Sequence, residues 1–435
     1  LGFLQTPFLK ESVAGFDLNK NCFFMTNDIV NQYDTEYYIG LEGRFGAHNY
    51  HPLPVVLAKG RGVFVWDVSG KRYYDYLSGY SALNQGHCHP KIVGAMIEQA
   101  QKLTLTSRAF YNNLLGLWEE KLTALFGFDK ALPMNSGAEA VETALKLAKK
   151  WGYKVKGIAE NQAKVITASD NFHGRTINIV SFSTDPTARD GFGPFVPGYV
   201  QVPYNNLEAL EEALQDPSVA AFLVEPIQGE AGIVIPDAGY LKKAKDLCAR
   251  HQVLFIADEI QTGLCRTGKM LACDYDEVHP DILILGKALS GGVMPVSAVL
   301  SDNEIMLTIQ PGEHGSTYGG NPLACAVSMA ALDVLVDEDM AGNATRMGEL
   351  LRSELSQIDH PALLNVRGRG LLNAIVIKGR DAEAAWRLCL KMRDNGLLAK
   401  PTHGDKIRFA PPLLINEGQI IESVEIIRKS LEEMC

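Results

Sequence analysis

Three short stretches of this 435-residue chain place reactive side chains where a protein can use them. In Pro280-Asp281-Ile282-Leu283-Ile284-Leu285-Gly286-Lys287 a single lysine follows a run of apolar β-formers, with Gly291-Gly292 behind it. A lysine at the end of a buried strand is partly desolvated. Losing water disfavours its ammonium, lowers its pKa and leaves an amine able to attack a carbonyl. Val253-Leu254-Phe255-Ile256-Ala257-Asp258 repeats the pattern with a carboxylate at the carboxyl end of an apolar strand, where open α/β sheets bind ligands. Asn135-Ser136-Gly137-Ala138-Glu139-Ala140 comes just before a strong helix pattern. Small residues there let the backbone approach a ligand, and free N–H groups with the helix dipole hold an anion such as phosphate. Each stretch also has an ordinary reading: a lysine reaching solvent, an aspartate capping a turn, an Asn/Ser helix cap. Together they supply an amine, an acid and an anion cup. Those are the three handles that pyridoxal 5'-phosphate requires, one for its aldehyde, one for its ring nitrogen and one for its phosphate.

The surrounding elements are those of an α/β fold. Lys164–Ala168, Ala220–Val224, Val253–Ala257, Ile282–Leu285 and Val296–Leu300 are short apolar runs with little alternation, as strands buried on both faces of a mainly parallel sheet should be. Helical patterns lie between them. One is Asn206–Leu214, and the clearest is Ala138–Trp151, where Val141, Ala144, Leu145, Ala148 and Trp151 follow helical spacing. After residue 335 the texture changes. A charged amphipathic helix over Glu338–Ile358 and strands at Leu371–Ile377 and Lys406–Phe409 indicate a smaller α+β domain. The expected division is an N-terminal segment over 1–80, a large α/β domain over 81–335 and a small domain over 336–435.

Composition narrows the function. Hydrophobic residues make up 46% and charged residues 21% of the chain, the balance of an ordinary globular protein. The net charge of −10 argues against a dedicated nucleic-acid binder. No apolar run is long enough to span a bilayer. The eight cysteines form no CxxC pair and read as free thiols of a reducing compartment. His87-Cys88-His89 has ligands too close together, without a second cluster, for a tetrahedral metal site, so no metal is expected. Leu1–Phe8 lacks a secretory signature. The expected location is the cytoplasm, or the mitochondrial matrix if a leader was removed.

Longer motifs carry a family resemblance. Residues 255–263 (FIADEIQTG), 286–292 (GKALSGG) and Glu225-Pro226-Ile227-Gln228-Gly229-Glu230 resemble the class III, pyridoxal-phosphate-dependent aminotransferases of fold type I. His48-Asn49-Tyr50-His51-Pro52 and residues 366–373 (VRGRGLLN) are similar to the branch that acts on ornithine. The resemblance runs from about Tyr38 to the C-terminus. It implies Lys287 as the Schiff-base lysine and proton carrier, Asp258 on the pyridinium nitrogen, and Gln261 on the ring hydroxyl. It further implies Phe172 stacked on the ring and Gly137 and Ala138 on the phosphate. Ser316 and Thr317 would reach the phosphate of a neighbouring subunit, which implies a homodimer with shared sites. Arg175 and Arg408 would anchor substrate carboxylates, Glu230 would pair with Arg408, and Tyr50 and Tyr80 would meet the far end of ornithine. The implied reaction moves the δ-amine of L-ornithine to 2-oxoglutarate in two half-reactions. N-acetylornithine and 4-aminobutyrate are the alternative donors. A silent binding protein and an aminomutase are rivals of other classes, the former disfavoured because both Lys287 and Asp258 are present.

Overall fold

The computed structural model describes residues 33–379, 382–402 and 404–434. Any leader at the N-terminus, together with Cys22 and Cys435, lies outside those residues. The chain divides into two compact units, Leu1–Val56 with Val68–Gly70, and Leu57–Asp67 with Lys71–Cys435. The described part of the first holds the helix Thr35–Phe45, started by Asp34, whose carboxylate accepts from Tyr37 N at 2.9 Å. That helix buries none of its residues, and Tyr33 stacks on Tyr37 at 3.9 Å between ring centroids.

In the second unit a seven-stranded sheet is built from β1 (Lys130–Met134), β2 (Lys164–Ala168), β3 (Tyr199–Val202), β4 (Val219–Val224), β5 (Leu254–Asp258), β6 (Ile282–Leu285) and β7 (Ser297–Ser301). Their spatial order is β1-β7-β6-β5-β4-β2-β3. Every residue of β4, β5 and β6 is buried, which is why those sequences run apolar without alternating. The pairs from β6 through β3 are parallel, whereas β7 runs antiparallel to both β6 and β1. Parallel neighbours need a long crossover. Between β6 and β7 the chain offers only a turn of 3₁₀-helix with Gly291 and Gly292 left-handed, so it turns straight back.

Helix α1 (Gly137–Trp151) lies against this sheet. Ser136 accepts from Glu139 N, and the Glu139 carboxylate accepts from Ser136 N at 2.6 Å, forming a capping box. Its stripe of Val141, Ala144, Leu145, Ala148 and Trp151 is buried in the core with Ile256, Ile282 and Ile284. Each large aliphatic side chain so buried contributes roughly 1.5–3 kcal/mol.

The C-terminal part adds an antiparallel sheet ordered Leu363–Arg369, Leu372–Ile377, Lys406–Phe409, Lys400–Thr402. Its helix spans Met340–Ser356, shorter at both ends than its charge pattern suggests, because Asp339 turns left-handed and caps it. A third sheet joins residues far apart in sequence, with Arg72–Asp75 parallel to Leu397–Leu398. Arg266, fully buried, ties these pieces. Its guanidinium donates to Asn84 Oδ1 (2.6 and 3.1 Å), Leu371 O (3.0 Å) and Pro411 O (2.6 Å).

The contact between the helix Met340–Ser356 and the strand turn at Gly370 has no slack. A Cβ on Gly348 would sit 1.8 Å from the Gly370 carbonyl oxygen. Alanine normally stabilises a helix by about 1 kcal/mol over glycine. Here Gly348→Ala should instead destabilise by roughly 1–3 kcal/mol, the usual range for overpacking. Urea midpoints of the two proteins check this, and a gain in stability would contradict the close approach.

Candidate active site

Three parallel neighbours end in chemistry. Glu225 follows β4, Asp258 closes β5 and Lys287 follows β6, so the sheet presents two acids and an amine along one edge. Below the amine lies a cavity of about 200 Å³ whose walls include Gly137, Ala138, Phe172, Asp258, Gln261 and Lys287. Gly137 and Ala138 open α1, so their N–H groups have no carbonyl in a preceding turn and suit an anion. Phe172 and Arg175 line a second cavity of about 700 Å³, which shares Phe172, His173 and Gly174 with the first. The Arg175 guanidinium lies 5.6 Å from the Phe172 ring centroid.

Lys287 has a left-handed backbone (φ 44°). Burial lowers its pKa most, with Arg408 adding, against the pull of Glu230, Asp258 and Glu225. Asp258 is nearly buried. Its Oδ1 accepts from Ile260 N at 3.1 Å, and its Oδ2 accepts from His173 Nδ1 at 2.6 Å. Burial alone would depress the His173 pKa, but the Asp258 carboxylate outweighs it and holds the imidazole above its ordinary value. Glu225, pushed up to about 7 by burial, accepts from Phe172 N (2.9 Å) and Gly229 N (3.2 Å). Neither His173 nor Glu225 was assigned a role from sequence. Glu225 carried the same strand-end signal as Asp258, while nothing in the sequence alone marks the His173–Asp258 contact.

Arg408 lies on the strand Lys406–Phe409, opposite Ala374. It is 2% exposed, and its Nη1 donates to Glu230 Oε1 at 2.5 Å. Gln261 Nε2 donates to the same Glu230 oxygen at 3.2 Å, and Gln261 Oε1 faces Arg408 Nη1 at 3.4 Å. Burial would raise the Glu230 pKa, yet Arg408 and Lys287 pull it down to about 2, so it is charged at neutral pH. Arg408 Nε is buried with no hydrogen-bond partner among the described residues. A Cβ on Gly229 would fall 1.5 Å from Gln261 Oε1, so glycine is what lets Gln261 lie there.

The Tyr80 ring centroid lies 5.0 Å from the Arg408 guanidinium carbon. Tyr80 sits in an unusual backbone, since Ser78, Gly79, Tyr80 and Ser81 all have φ between 49° and 70°. Ala82 N donates to Ser78 O at 2.8 Å, closing one turn of left-handed α-helix. For its three non-glycine residues this costs about 1–2 kcal/mol each.

Of the predicted residues in the second unit, Tyr80, Arg408, Ser316 and Thr317 line neither cavity. Tyr50 belongs to the first unit and is exposed. Ser316 Oγ accepts from Asn135 Nδ2 at 2.8 Å, beside the anion cup, and Thr317 is exposed. As for a metal, no group of three His, Cys, Asp or Glu is placed to hold one among the described residues. His87 and His89 meet Asp75 and Glu338 instead. No described helix is long and apolar enough to cross a membrane.

The family model for aminotransferase class-III matches residues 45–431. This chain is a class III aminotransferase. It is 63% identical over 397 residues to the mitochondrial ornithine aminotransferase of Rattus norvegicus, covering 91% of this chain and 90% of the relative. The solved ornithine aminotransferase of Toxoplasma gondii, with pyridoxal phosphate at partial occupancy in its active site, superposes with a TM-score of 0.90. It is 49% identical, over 92% of this chain and 94% of that one. The acetylornithine aminotransferase structure from Elizabethkingia anophelis is 62% identical with a TM-score of 0.86, over 92% and 99% of the two chains. The mainly parallel central sheet is as the sequence led one to expect, with Lys130–Met134 and Tyr199–Val202 added to the five expected strands.

Beside Asp258, Glu259 accepts from Cys273 N (2.7 Å) and from the Thr262 hydroxyl. Burial pushes its carboxyl from the ordinary 4.5 up to about 7. The folded class III aminotransferase thus keeps a proton that the unfolded chain releases earlier. The Glu259 contribution to stability is complete below the lower value and lost as pH rises through the upper one. Glu259→Gln, which mimics the protonated acid, should lose less stability than wild type between about pH 5 and pH 7. Urea midpoints at the two pH values measure it, and identical pH dependence in both proteins would contradict the shift.

Proposed function

We propose that this chain is a pyridoxal-phosphate-dependent ornithine aminotransferase. It takes the δ-amine of L-ornithine, releasing glutamate-5-semialdehyde, which closes to pyrroline-5-carboxylate, and delivers the nitrogen to 2-oxoglutarate to give glutamate. The observation that carries the reading is the Glu230–Arg408 pair beside Lys287, with Arg408 buried and Glu230 partly so. Ornithine and glutamate react at opposite ends relative to their α-carboxylates, so one pocket must offer a cation to one substrate and hide it from the other. Glu230 masks Arg408 when no carboxylate is present. An unpaired buried guanidinium would cost several kcal/mol, and each charged hydrogen bond to an incoming carboxylate returns roughly 1.5–3 kcal/mol. Arg408 Nε, buried without a partner among the described residues, keeps one donor unused.

The walls suit the cofactor. Gly137 and Ala138 supply N–H groups for its phosphate, Phe172 an aromatic face, Gln261 an amide, and Asp258 a negative charge for its ring nitrogen. The bound cofactor supplies a ring that stores the electron pair released at the carbon bearing the amine. Lys287 Nζ gives and takes the proton at that carbon, a task suited to a lysine whose pKa is depressed by burial. His173, donating to Asp258, holds that carboxylate in its orientation. Arg175, on the wall of the larger cavity, is the anchor for an α-carboxylate. Tyr50 and Tyr80 serve the far end of ornithine, and Ser316 and Thr317 serve the second copy of a homodimer. The rat relative is mitochondrial by name, which favours the matrix over the cytoplasm.

N-acetylornithine is the second reading, favoured by the identity to the Elizabethkingia anophelis enzyme. Turnover on ornithine, N-acetylornithine and 4-aminobutyrate with 2-oxoglutarate as acceptor decides between them. Ornithine should have the highest kcat/KM, and a higher value for either rival amine refutes the donor assignment. Lys287→Ala, assayed with excess cofactor, should lose at least about 10³-fold in turnover, within the range for a positioned proton carrier. Near-wild-type turnover would exclude the mechanism.

A further inference from the structure

The left-handed turn Ser78–Ser81 is held from outside its own backbone. Asp75, at the end of the strand Arg72–Asp75, accepts through Oδ1 from both Leu77 N (2.9 Å) and Ser78 N (2.8 Å). Its other oxygen accepts from His87 Nε2 at 2.7 Å. His87 is itself fixed. Its backbone exchanges hydrogen bonds with Gly62 (both 2.9 Å), and Gly60 packs so closely that a Cβ there would meet His87 Nδ1 at 2.7 Å. The order of support therefore runs from the Gly60–Gly62 segment to His87, to Asp75, to the turn, and ends on the Tyr80 ring over Arg408.

A strained backbone reverts to ordinary conformations unless its surroundings over-determine it. Reversal at Tyr80 would swing the ring away from the guanidinium. We propose that Asp75 and His87 are positioning residues for donor selectivity, acting through the left-handed turn that holds Tyr80 against Arg408. The proposal rests on the reading above that Tyr80 meets the far end of the donor. Neither residue lines either cavity described above, so their effect on the substrate is indirect.

The test compares kcat/KM for ornithine and for 4-aminobutyrate, which lacks the α-amino group, in holoenzyme variants. A site that recognises a group loses discrimination when the recognising side chain is mislaid. In His87→Ala the ornithine to 4-aminobutyrate ratio should fall about ten-fold. His87→Gln, whose amide can still donate to Asp75, should restore the ratio to within about two-fold. Adding His87→Ala to Tyr80→Ala should lower it no further, since both act on one contact. If His87→Ala does not fold, Asp75→Asn, which removes the acceptor for His87 but keeps one for the turn, takes its place under the same criteria. Equal losses on both amines, no rescue by glutamine, or additive losses in the double variant would each overturn the proposal. A wild type preferring N-acetylornithine would refute the donor assignment alone. The same ratio, taken with that amine, would still test the turn.

Discussion

The site depends on a single carboxylate shared by Arg408 and Lys287. Glu230 neutralises Arg408 directly and stabilises Lys287 through space, and both cations pull its own pKa down to about 2. Removing one member of such a buried set leaves an uncompensated charge, at a cost of about 3–5 kcal/mol. The surrounding features follow from that constraint. Gln261 is placed to share the Glu230 oxygen, and Gly229 is bare so that Gln261 can reach. Arg408 sits on an inner strand of the C-terminal sheet while Glu230 follows β4 of the large sheet, so the pair also bridges two sheets.

The remaining machinery surrounds this pair with fixed dipoles and oriented acids. Asp258 is steadied by His173 and by Ile260 N, and Glu225 braces Phe172 and Gly229 through their backbones. Groups already held in place need little reorganisation when charge moves during a reaction. Arg266 does the analogous work for the framework, joining Asn84, Leu371 and Pro411 through one guanidinium. Pro411 lies three residues after Arg408, so the same staple limits how far Arg408 can drift.

How much of this was legible in the sequence differs by kind of information. Lys287, Asp258 and the start of α1 were readable because each stands where an apolar run stops, and burial with a terminal polar residue is a one-dimensional signal. The direction of β7 was not, since a buried parallel strand and a buried antiparallel strand look alike in composition. The pairing of Arg72–Asp75 with Leu397–Leu398 joins segments more than three hundred residues apart and leaves no local trace. The turn at Tyr80 was hidden for another reason: Ser78-Gly79-Tyr80-Ser81 contains one glycine, and three residues adopt a conformation their chemistry disfavours. Tyr80 stands in a motif, whereas Asp75 and His87, which make its conformation tenable, are marked only by their contacts in the fold.

The row formed by Glu225, Asp258 and Lys287 also sets a unit of length for the chemistry. Adjacent strands lie about 4.8 Å apart, so functional groups on the ends of β4, β5 and β6 come at fixed intervals rather than at adjustable ones. Fine placement must be made by turns and side-chain length. Lys287 shows this: its left-handed backbone and long stem bring its amine back toward the acids of the neighbouring strands. Grafting this chemistry onto another sheet would therefore mean matching strand spacing and the turn after β6 together, since neither alone fixes where the nitrogen ends.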